Sequence, residues 1–451
     1  MSPRSKMKSS FSQSVVPLHN PNAAGIDVGA TELYVAVPAD RAPSPVRHFS
    51  TFTQDLQAIA DWLKACRVST VAMESTGVYW IPIFQILVDR GIEVCLVNAR
   101  HVKNVPGRKS DVQDCQWLQY LHSVGLLRAS FRPPQHICAI RSLMRHRDTL
   151  VDMASAHIQH MQKALTQMNL QIHHVLSDIT GSTGLNIVDA ILAGERDPEQ
   201  LAKLRDRRVK ATKAIIIKSL VGDYRMEHLF ALEQSLKSYR HYQGLIAECE
   251  QKIQGLVGAL ESKMDPLKTF LPQNDKKSSK AKSGKTFTLR QELFRITGVD
   301  LTAIPGVQVT TAHTLLSEIG PNVSMFPSGK HFASWLHLCP DNRISGGRIL
   351  SAKTGSGKNR AATALCIAAA TLYNSQTALG HFLRRMRAKL GGIQGVVATA
   401  HKLALIVYHM LKTKQPYDET RFAYHEQQHK RRMELRLKHQ AKAMGFALVP
   451  A

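Results

Sequence analysis

The chain has 451 residues, 44% of them hydrophobic, which is enough for two or three globular domains with buried cores. Lysine and arginine number 59 against 34 aspartates and glutamates, and this formal net charge of +25 favours a polyanionic partner, nucleic acid first and an anionic membrane surface second. No apolar run reaches the ~18–20 residues that span a bilayer, and the seven cysteines include no C-x-x-C pair, which argues against a membrane-spanning protein, a zinc ribbon and a disulfide framework.

Strand and helix patterns alternate over residues 23–132, after a polar N-terminal stretch, residues 1–22, that we expect to be disordered. The segment AAGIDVGATELYVAVPAD predicts two strands joined by a glycine turn, and PVRHFSTF predicts a third. TQDLQAIADWLKAC predicts an amphipathic helix, followed by a buried strand (STVAMES), a helix (WIPIFQILVDRG) and a last strand (IEVCLVNA). The order predicts a mixed α/β domain. The helix has an apolar stripe of Leu56, Ile59, Ala60 and Leu63.

The remaining chain is predicted to be mostly helical. Residues 133–270 contain two long amphipathic helices, IRSLMRHRDTLVDMASAHIQHMQKAL and LIAECEQKIQGLVGALESK, which could pair with each other or with a second copy of the protein. A basic linker is expected at residues 271–290 and a third domain at residues 291–420. The final stretch, residues 421–451, is expected to be a basic helix or a disordered arm.

The segment KSDVQDCQWL carries two carboxylates at the start of a predicted helix. Ser110 is a plausible N-cap, and Gln113 completes a capping-box pattern. Asp111 and Asp114 suit the positive end of the helix dipole, so a purely structural role explains this segment taken alone. Their i, i+3 spacing also places them on one face of the helix.

Two more carboxylates follow predicted strands of the same domain. Asp27 ends the first strand, and Glu74 ends a later strand just before a helix. If the two strands are neighbours in one sheet, both side chains reach the same edge, where Asp111 and Asp114 could join them. Four clustered carboxylates repel one another and have raised pKa values, an arrangement that suits Mg²⁺ ions bound between them.

These motifs resemble the RNase H-like (RuvC-like) domain of the DEDD transposases of insertion sequence family 110, which are related to the Piv DNA invertases. The resemblance rests on the D-x-G turn, the E-S-T-G-x-Y segment and the K-S-D-x-x-D segment. It implies Mg²⁺, with Mn²⁺ as a substitute, held by four ligands: Asp27, Glu74, Asp111 and Asp114. The implied fold is an α/β RNase H-like domain followed by a helical coiled coil for dimerisation and a mostly α-helical C-terminal transposase domain.

The third domain contains two further motifs. LTAIPGVQVTTAHTLLSEIG resembles a helix-hairpin-helix, but Gln308 replaces the usual second glycine, which puts contact between this turn and DNA in doubt. In NRISGGR, Ser345 matches the position of the family's serine nucleophile, with Ser351 and Ser356 as the fallback candidates. Flexible Gly346 and Gly347 would admit a nucleic-acid backbone. We expect five cations to contact nucleic acid. Two precede the K-S-D-x-x-D aspartates, Arg108 and Lys109, and three flank Ser345: Arg343, Arg348 and Lys353.

The resemblance implies a recombinase that moves an insertion sequence through a phosphoserine–DNA intermediate. Its partners would be double-stranded DNA and a non-coding bridge RNA, and the protein would act as a homodimer or homotetramer, without a membrane, in the bacterial cytoplasm at the nucleoid. One alternative is a RuvC-like junction resolvase or nuclease in which the metals activate water and Ser345 is structural. A second is a nucleic-acid-binding protein without catalytic activity.

Overall fold

The computed structural model describes residues 17–75, 77–98, 110–264, 271, 289–355, 357 and 359–446. The predicted disordered N-terminus up to residue 16, and the predicted basic linker over residues 272–288, lie outside these residues. The chain divides into two units, Met1–Arg132 and Pro133–Ala451. Within the described part of the chain, no helix is both long and apolar enough to cross a membrane.

The N-terminal unit is built on a five-stranded mixed sheet. Its strands are β1 (Ala23–Val28), β2 (Glu32–Ala36), β3 (Val46–Ser50), β4 (Thr70–Glu74) and β5 (Glu93–Val97). Their order in the sheet is β3-β2-β1-β4-β5, with β1, β2 and β3 antiparallel and with β4 parallel to both β1 and β5. The central strand β1 is almost entirely buried, as expected for a strand covered on both faces.

Two helices, α1 (Thr53–Ala65) and α2 (Trp80–Asp89), contribute to the main core of this unit. The predicted stripe on α1 is confirmed, because the buried side chains of this helix are the four that the sequence pattern singled out. A third helix, α3 (Asp111–Ser123), packs against β1 and β2. The mixed α/β architecture predicted from the sequence is therefore present.

The second unit begins with an antiparallel pair of long helices, α4 (Gln135–Gln167) and α9 (Met226–Gly258). A salt bridge joins Arg147 to Glu250 with 2.6 Å between nitrogen and oxygen. Further along, the His157 ring stacks on Tyr242 with the ring centroids 5.5 Å apart. The two amphipathic helices therefore pair with each other inside one chain, which was one of the two arrangements that the sequence left open. We refer to this pair as the arm.

The far end of the arm carries a small helical cap with its own core. The cap consists of α5 (Ile172–Val175), α6 (Ser182–Leu192), α7 (Pro198–Lys203) and α8 (Lys213–Ser219). Its buried apolar side chains come from all four short helices and from the adjoining ends of α4 and α9. The turn from α4 to α9 is thus a folded element rather than a loop.

The rest of the unit is a helical domain with one small hairpin. Its helices are α10 (Leu289–Thr297), α11 (Val309–Ile319), α12 (Gly329–Trp335), α13 (Arg360–Thr371), α14 (Ala378–Leu390), α15 (Gly392–Thr413) and α16 (Thr420–Ala443), with short 3₁₀ turns at Leu301–Ala303 and Leu372–Asn374. Two strands, β6 (Arg343–Ser345) and β7 (Arg348–Ser351), form the hairpin. Of the predicted C-terminal tail, the described residues up to Ala443 belong to helix α16.

The partly buried Pro-Gly turn before α11 packs closely against α13. Gly306 has φ +85°, and a Cβ atom there would lie 2.6 Å from the carbonyl oxygen of Ala368 in α13. Only glycine permits this approach, so the turn is shaped for helix packing. This arrangement gives a structural reason to keep the motif out of the set of DNA contacts.

A buried carboxylate fastens the root of the arm to α11. The Glu318 side chain is 7% exposed, and its Oε2 lies 3.2 Å from Arg141 Nε. Arg145 Nε donates to Oε1 at 3.1 Å, and the second arginine nitrogen donates to Oε2 at 2.8 Å. Arg141 also donates to the Glu318 backbone carbonyl. Because one carboxylate receives two arginines of α4, this contact joins the arm to the helical domain.

We expect Glu318→Ala to lower the free energy of unfolding by about 3–5 kcal/mol, because it leaves the largely buried Arg141 guanidinium without the carboxylate that it faces. The midpoint of urea denaturation of the purified protein measures the loss. The matched control is Glu250→Ala, which breaks the more exposed Arg147–Glu250 pair and should cost about 0–1 kcal/mol. Equal losses of unfolding free energy for the two variants would contradict the proposed importance of the contact between Glu318 and the two arginines of α4.

Candidate active site

Neighbouring parallel strands bring the first two predicted carboxylates to one edge of the sheet. In the pairing of β1 with β4, Ile26 lies opposite Met73, so Asp27 and Glu74 are the next residues along their strands. Both side chains are partly buried. The two strands run in the same direction, so their carboxyl ends meet at this edge.

Close packing of α3 on β1 brings the other two carboxylates towards Asp27. A Cβ atom on Gly25 would lie 2.2 Å from the carbonyl oxygen of Cys115 and 2.4 Å from the backbone nitrogen of Gln119, so only glycine permits this approach. The Gln119 side chain also donates to the carbonyl of Ala23 at 3.2 Å. Asp114 is adjacent to Cys115, and the crossing point therefore sets how near it comes to Asp27.

The start of α3 has the predicted cap. Ser110 Oγ accepts a hydrogen bond from the backbone N–H of Gln113 at 3.3 Å, which confirms the N-cap. Asp111 and Asp114 both lie in the first turn. The local explanation for these residues is therefore correct, and it is compatible with a second role, because the cap fixes where their side chains begin.

Electrostatics link the four carboxylates. Burial, together with the negative charges of Asp114, Asp111 and Glu74, raises the pKa of Asp27 to about 6. The backbone N–H of Val28 donates to the carboxylate and lowers the pKa. Two of the four end neighbouring strands and two lie in the first turn of α3, and the charges of the other three act on Asp27. At neutral pH, Asp27 is held as an anion against this unfavourable field, which a bound cation would relieve.

The side chains are not drawn together tightly. Among the described residues, no three His, Cys, Asp or Glu side chains are close enough to hold one metal ion. As donors, the four carboxylates suit a hard divalent cation, which binds oxygen ligands. The donor chemistry therefore fits magnesium, and binding would require these side chains to move closer to one another.

Sequence reasoning missed Tyr34, which lies beside this group. It is directly opposite Asp27 in the antiparallel β1–β2 pair, so the two side chains share a face. A hydrogen bond from its hydroxyl to Glu32 at 3.2 Å raises the pKa of Tyr34, and the negative charge of Asp111 adds to the effect. Counting the register outward from the glycine turn would have identified this neighbour.

The predicted nucleophile lies at the end of an exposed hairpin in the other unit. Ser345 ends β6 and is followed by Gly346 and Gly347, which have φ of +53° and +75°. Two consecutive residues with positive φ form a two-residue turn of the type that suits a tight hairpin. The two glycines therefore form the turn of the hairpin, and Ser345 is exposed to solvent.

Exposed cationic and apolar side chains surround the serine. Arg348 lies directly opposite Ser345 in the hairpin and is exposed. Three apolar side chains of the same hairpin are each more than 60% exposed: Ile344, Ile349 and Leu350. Such an exposed apolar group on a short hairpin is unusual for a free surface and indicates a contact with another molecule or protomer.

The other predicted nucleic-acid contacts are only partly described. Lys353 is exposed, and its backbone carbonyl accepts from the N–H of Asp341 at 2.8 Å near the base of the hairpin. The backbone of Arg343 is part of β6, but its side chain lies outside the described residues, as do Arg108 and Lys109. The fallback serines divide similarly, since Ser351 is in β7 and Ser356 is not described.

Comparison with known proteins places both units. Residues 24–170 match the family model of the DEDD transposases of IS110, described as a transposase. Residues 300–383 match the transposase model of the IS116/IS110/IS902 family. The two matches cover 147 and 84 residues, together just over half of the 451.

A curated relative agrees with these matches. The protein named "Putative transposase y4pF/y4sB" of Sinorhizobium fredii (strain NBRC 101917 / NGR234) is 30% identical over 145 residues, which is 29% of this chain and 36% of the relative. The chain therefore spans about a third of that relative's length. From the two family matches, which include the segments carrying Asp27, Glu74, Asp111, Asp114 and Ser345, the chain belongs to the IS110 family of DEDD transposases.

Proposed function

We propose that this protein is a DNA transposase that cuts and rejoins DNA to excise and insert an insertion sequence. The observation that carries the proposal is the placement of Asp27 and Glu74 at the ends of neighbouring parallel strands, inside the region that matches the family's DEDD transposase model, and the raised pKa of Asp27 is consistent with it. The mixed sheet order is consistent with an RNase H-like (RuvC-like) domain over residues 23–132. The arm would serve dimerisation over residues 133–270, and residues 291–420 would supply the serine.

Four side chains would hold the metal: Asp27, Glu74, Asp111 and Asp114. Mg²⁺, or Mn²⁺ in its place, would neutralise negative charge that develops on a phosphodiester during displacement. The carboxylates would orient the site, and their mutual repulsion explains why it needs a cation. The edge of the sheet formed by β1 and β4 supplies the rigid support for Asp27 and Glu74.

Ser345 would act as the nucleophile. Its Oγ would form a bond to phosphorus while the bond from phosphorus to the leaving oxygen of one DNA strand breaks. The serine proton would pass to solvent, and the leaving oxygen would take up a proton from solvent to become a strand-end hydroxyl. The product is a phosphoserine–DNA link, and attack by a strand end on that link returns the serine. The bond energy is conserved in this exchange, so rejoining needs no external energy source.

DNA and RNA binding would follow from the strong positive charge. Five cations that precede Asp111 or flank Ser345 are proposed contacts: Arg108, Lys109, Arg343, Arg348 and Lys353. The partners would be double-stranded DNA of the element ends and target, and a non-coding bridge RNA that selects them. Because the carboxylates and Ser345 belong to separate units of the chain, we propose that a homodimer or homotetramer assembles the complete site. Sequencing the DNA that flanks the gene tests the RNA proposal, since a guide must match both element end and insertion site.

Metal removal tests the proposed chemistry. Purified protein, incubated with a plasmid that carries the element ends and with the flanking RNA, should cut and rejoin DNA in Mg²⁺. Excess chelator should abolish the reaction, and added Mg²⁺ or Mn²⁺ should restore it, because the four carboxylates would otherwise repel the phosphate. A reaction that continues at the same rate in chelator would refute the metal site, and a gel that resolves excised and joined products reports the outcome.

A further inference from the structure

The C-terminal helix α16 extends away from the body of its unit. Its start is tied down where Glu419 accepts a hydrogen bond from the N–H of Ala378 at 3.2 Å. Over residues 431–446, by contrast, the described side chains are exposed, and Ala441 alone is partly buried. Tertiary packing therefore contributes little to the stability of this half of the helix, although isolated helices of such length are marginal in water.

The exposed half has one cationic side. At about 100° per residue, five cations fall within an arc of about 160°: Arg431, Arg432, Arg436, Lys438 and Lys442. Glu434 lies at the margin of this arc and pairs with Lys438 at 3.3 Å, both groups being largely exposed. Leu435 and Ala443 are the apolar residues on this side. We call these five residues the cationic face.

The opposite side is narrow and apolar. Met433, Leu437 and Met444 fall within an arc of about 40°, and each is about half exposed or more. Gln440 and Ala441 separate them along the helix. A face of three spaced side chains offers little apolar area to a membrane or a partner helix, whereas the cationic face offers five charges within about three turns.

We propose that the cationic face of α16 binds the phosphate backbone of duplex DNA. A duplex presents one negative charge for about every 1.7 Å of its axis, so a straight row of cations can neutralise several phosphates and release their counterions. The major groove of DNA also accommodates an α-helix. Nucleic acid is favoured over an anionic membrane because the five cations share one side of α16, whereas its exposed apolar side chains are divided between two sides, Leu435 on the cationic side and Met433, Leu437 and Met444 opposite, and because the whole chain carries +25.

This inference rests on the proposed action on nucleic acid and adds a binding element to it. The cationic face lies outside the two regions that match the family models, which end at residues 170 and 383. Its role would be to hold duplex DNA without taking part in the chemistry. RNA has the same phosphodiester backbone, so the test includes it, and an effect on RNA alone would overturn the assignment to DNA.

The test compares full-length wild-type protein with the triple variant Arg431→Gln, Arg432→Gln, Arg436→Gln. Glutamine has a helix propensity close to that of arginine, so the helix should persist. Binding of a random-sequence 30-base-pair DNA duplex and of a single-stranded RNA is measured in metal-free buffer by fluorescence anisotropy at several salt concentrations. We expect an affinity lower by about 10-fold or more and, on the duplex, a salt slope smaller by about 2–3. Comparison of the two polymers identifies the one that α16 holds.

The matched control is the double variant Met433→Gln, Leu437→Gln, which changes the apolar face of the same helix and should leave nucleic-acid binding unchanged. Salt slopes that are identical for wild type and triple variant on both polymers would overturn the inference. So would tighter binding to phosphatidylserine vesicles than to either polymer, lost in the double variant, because it would assign α16 to a membrane. A wild-type protein that binds neither polymer would instead contradict the proposed function itself.

Discussion

Ser345→Ala is expected to abolish the covalent protein–DNA adduct and to lower DNA strand cleavage by about 10⁴-fold or more, the scale on which loss of a catalytic nucleophile acts. Ser345 is exposed at the end of the β6–β7 hairpin, next to two glycines that leave room for a nucleic-acid backbone. Binding of DNA should be unchanged, since the variant removes one hydroxyl from an exposed turn. A denaturing gel with end-labelled DNA detects the adduct and the cut strand together.

Ser351→Ala is the matched control for this substitution, because Ser351 lies in β7 of the same hairpin and accepts a hydrogen bond from the N–H of Lys353 at 3.4 Å. It should retain the adduct and most of the cleavage. If Ser345→Ala cuts DNA at the wild-type rate and no adduct forms with the wild-type protein, then water is the nucleophile. The protein would in that case act as a metal-dependent resolvase or nuclease.

Asp27→Asn is expected to lower strand cleavage by about 10³-fold, the equivalent of the several kcal/mol of charge stabilisation that a bound metal supplies. Asparagine keeps the size of the side chain, and it removes the negative charge that burial and three neighbouring carboxylates oppose. The fold should therefore be retained or slightly stabilised while activity is lost. Cleavage rates and denaturation midpoints measured on the same preparation separate these effects.

Glu32→Gln provides the comparison for the aspartate variant. Glu32 is an exposed carboxylate of the neighbouring strand and accepts a hydrogen bond from Tyr34. It starts the antiparallel strand β2, whereas Asp27 and Glu74 end the two parallel strands β1 and β4. We expect this variant to stay within a few-fold of the wild-type rate. Equal, small effects of both substitutions would show that Asp27 holds no catalytic metal.

Local patterns in the sequence predicted local structure well. The stripe of α1 and the cap of α3 follow from residues within one or two turns of each other, so a short window contains all the information. The convergence of Asp27 with Asp111 was different. Those residues are 84 positions apart, so the strand ends predicted only that they could meet, and the family resemblance implied that they do.

Contacts between distant segments were the part that periodicity could not predict. An amphipathic pattern indicates that a helix packs against another element, but it does not identify that element. Pairing of α4 with α9 inside one chain and pairing between two copies of the protein therefore fitted the same pattern. Gly25 was similarly uninformative in the sequence, because its significance depends on Cys115 and Gln119 of a helix almost a hundred residues later. The sequence left open whether the turn at Gly306 contacts DNA or serves helix packing, and its close approach to the carbonyl of Ala368 could not be predicted from the pattern.

The arm leaves the helical domain and comes back to it at the same place. Arg145 near its outgoing end contacts α11, and Arg295 of α10 donates to the carbonyls of Val257 and Leu260 where it returns. Because both contacts lie in the same helical domain, the chain between them can become longer or shorter at a small cost in free energy. The entropy of closing a loop grows only with the logarithm of its length. Evolution can thus extend the arm to about 50 Å, the length of a 33-residue helix, or trim it turn by turn, and leave the chemistry-bearing parts where they are.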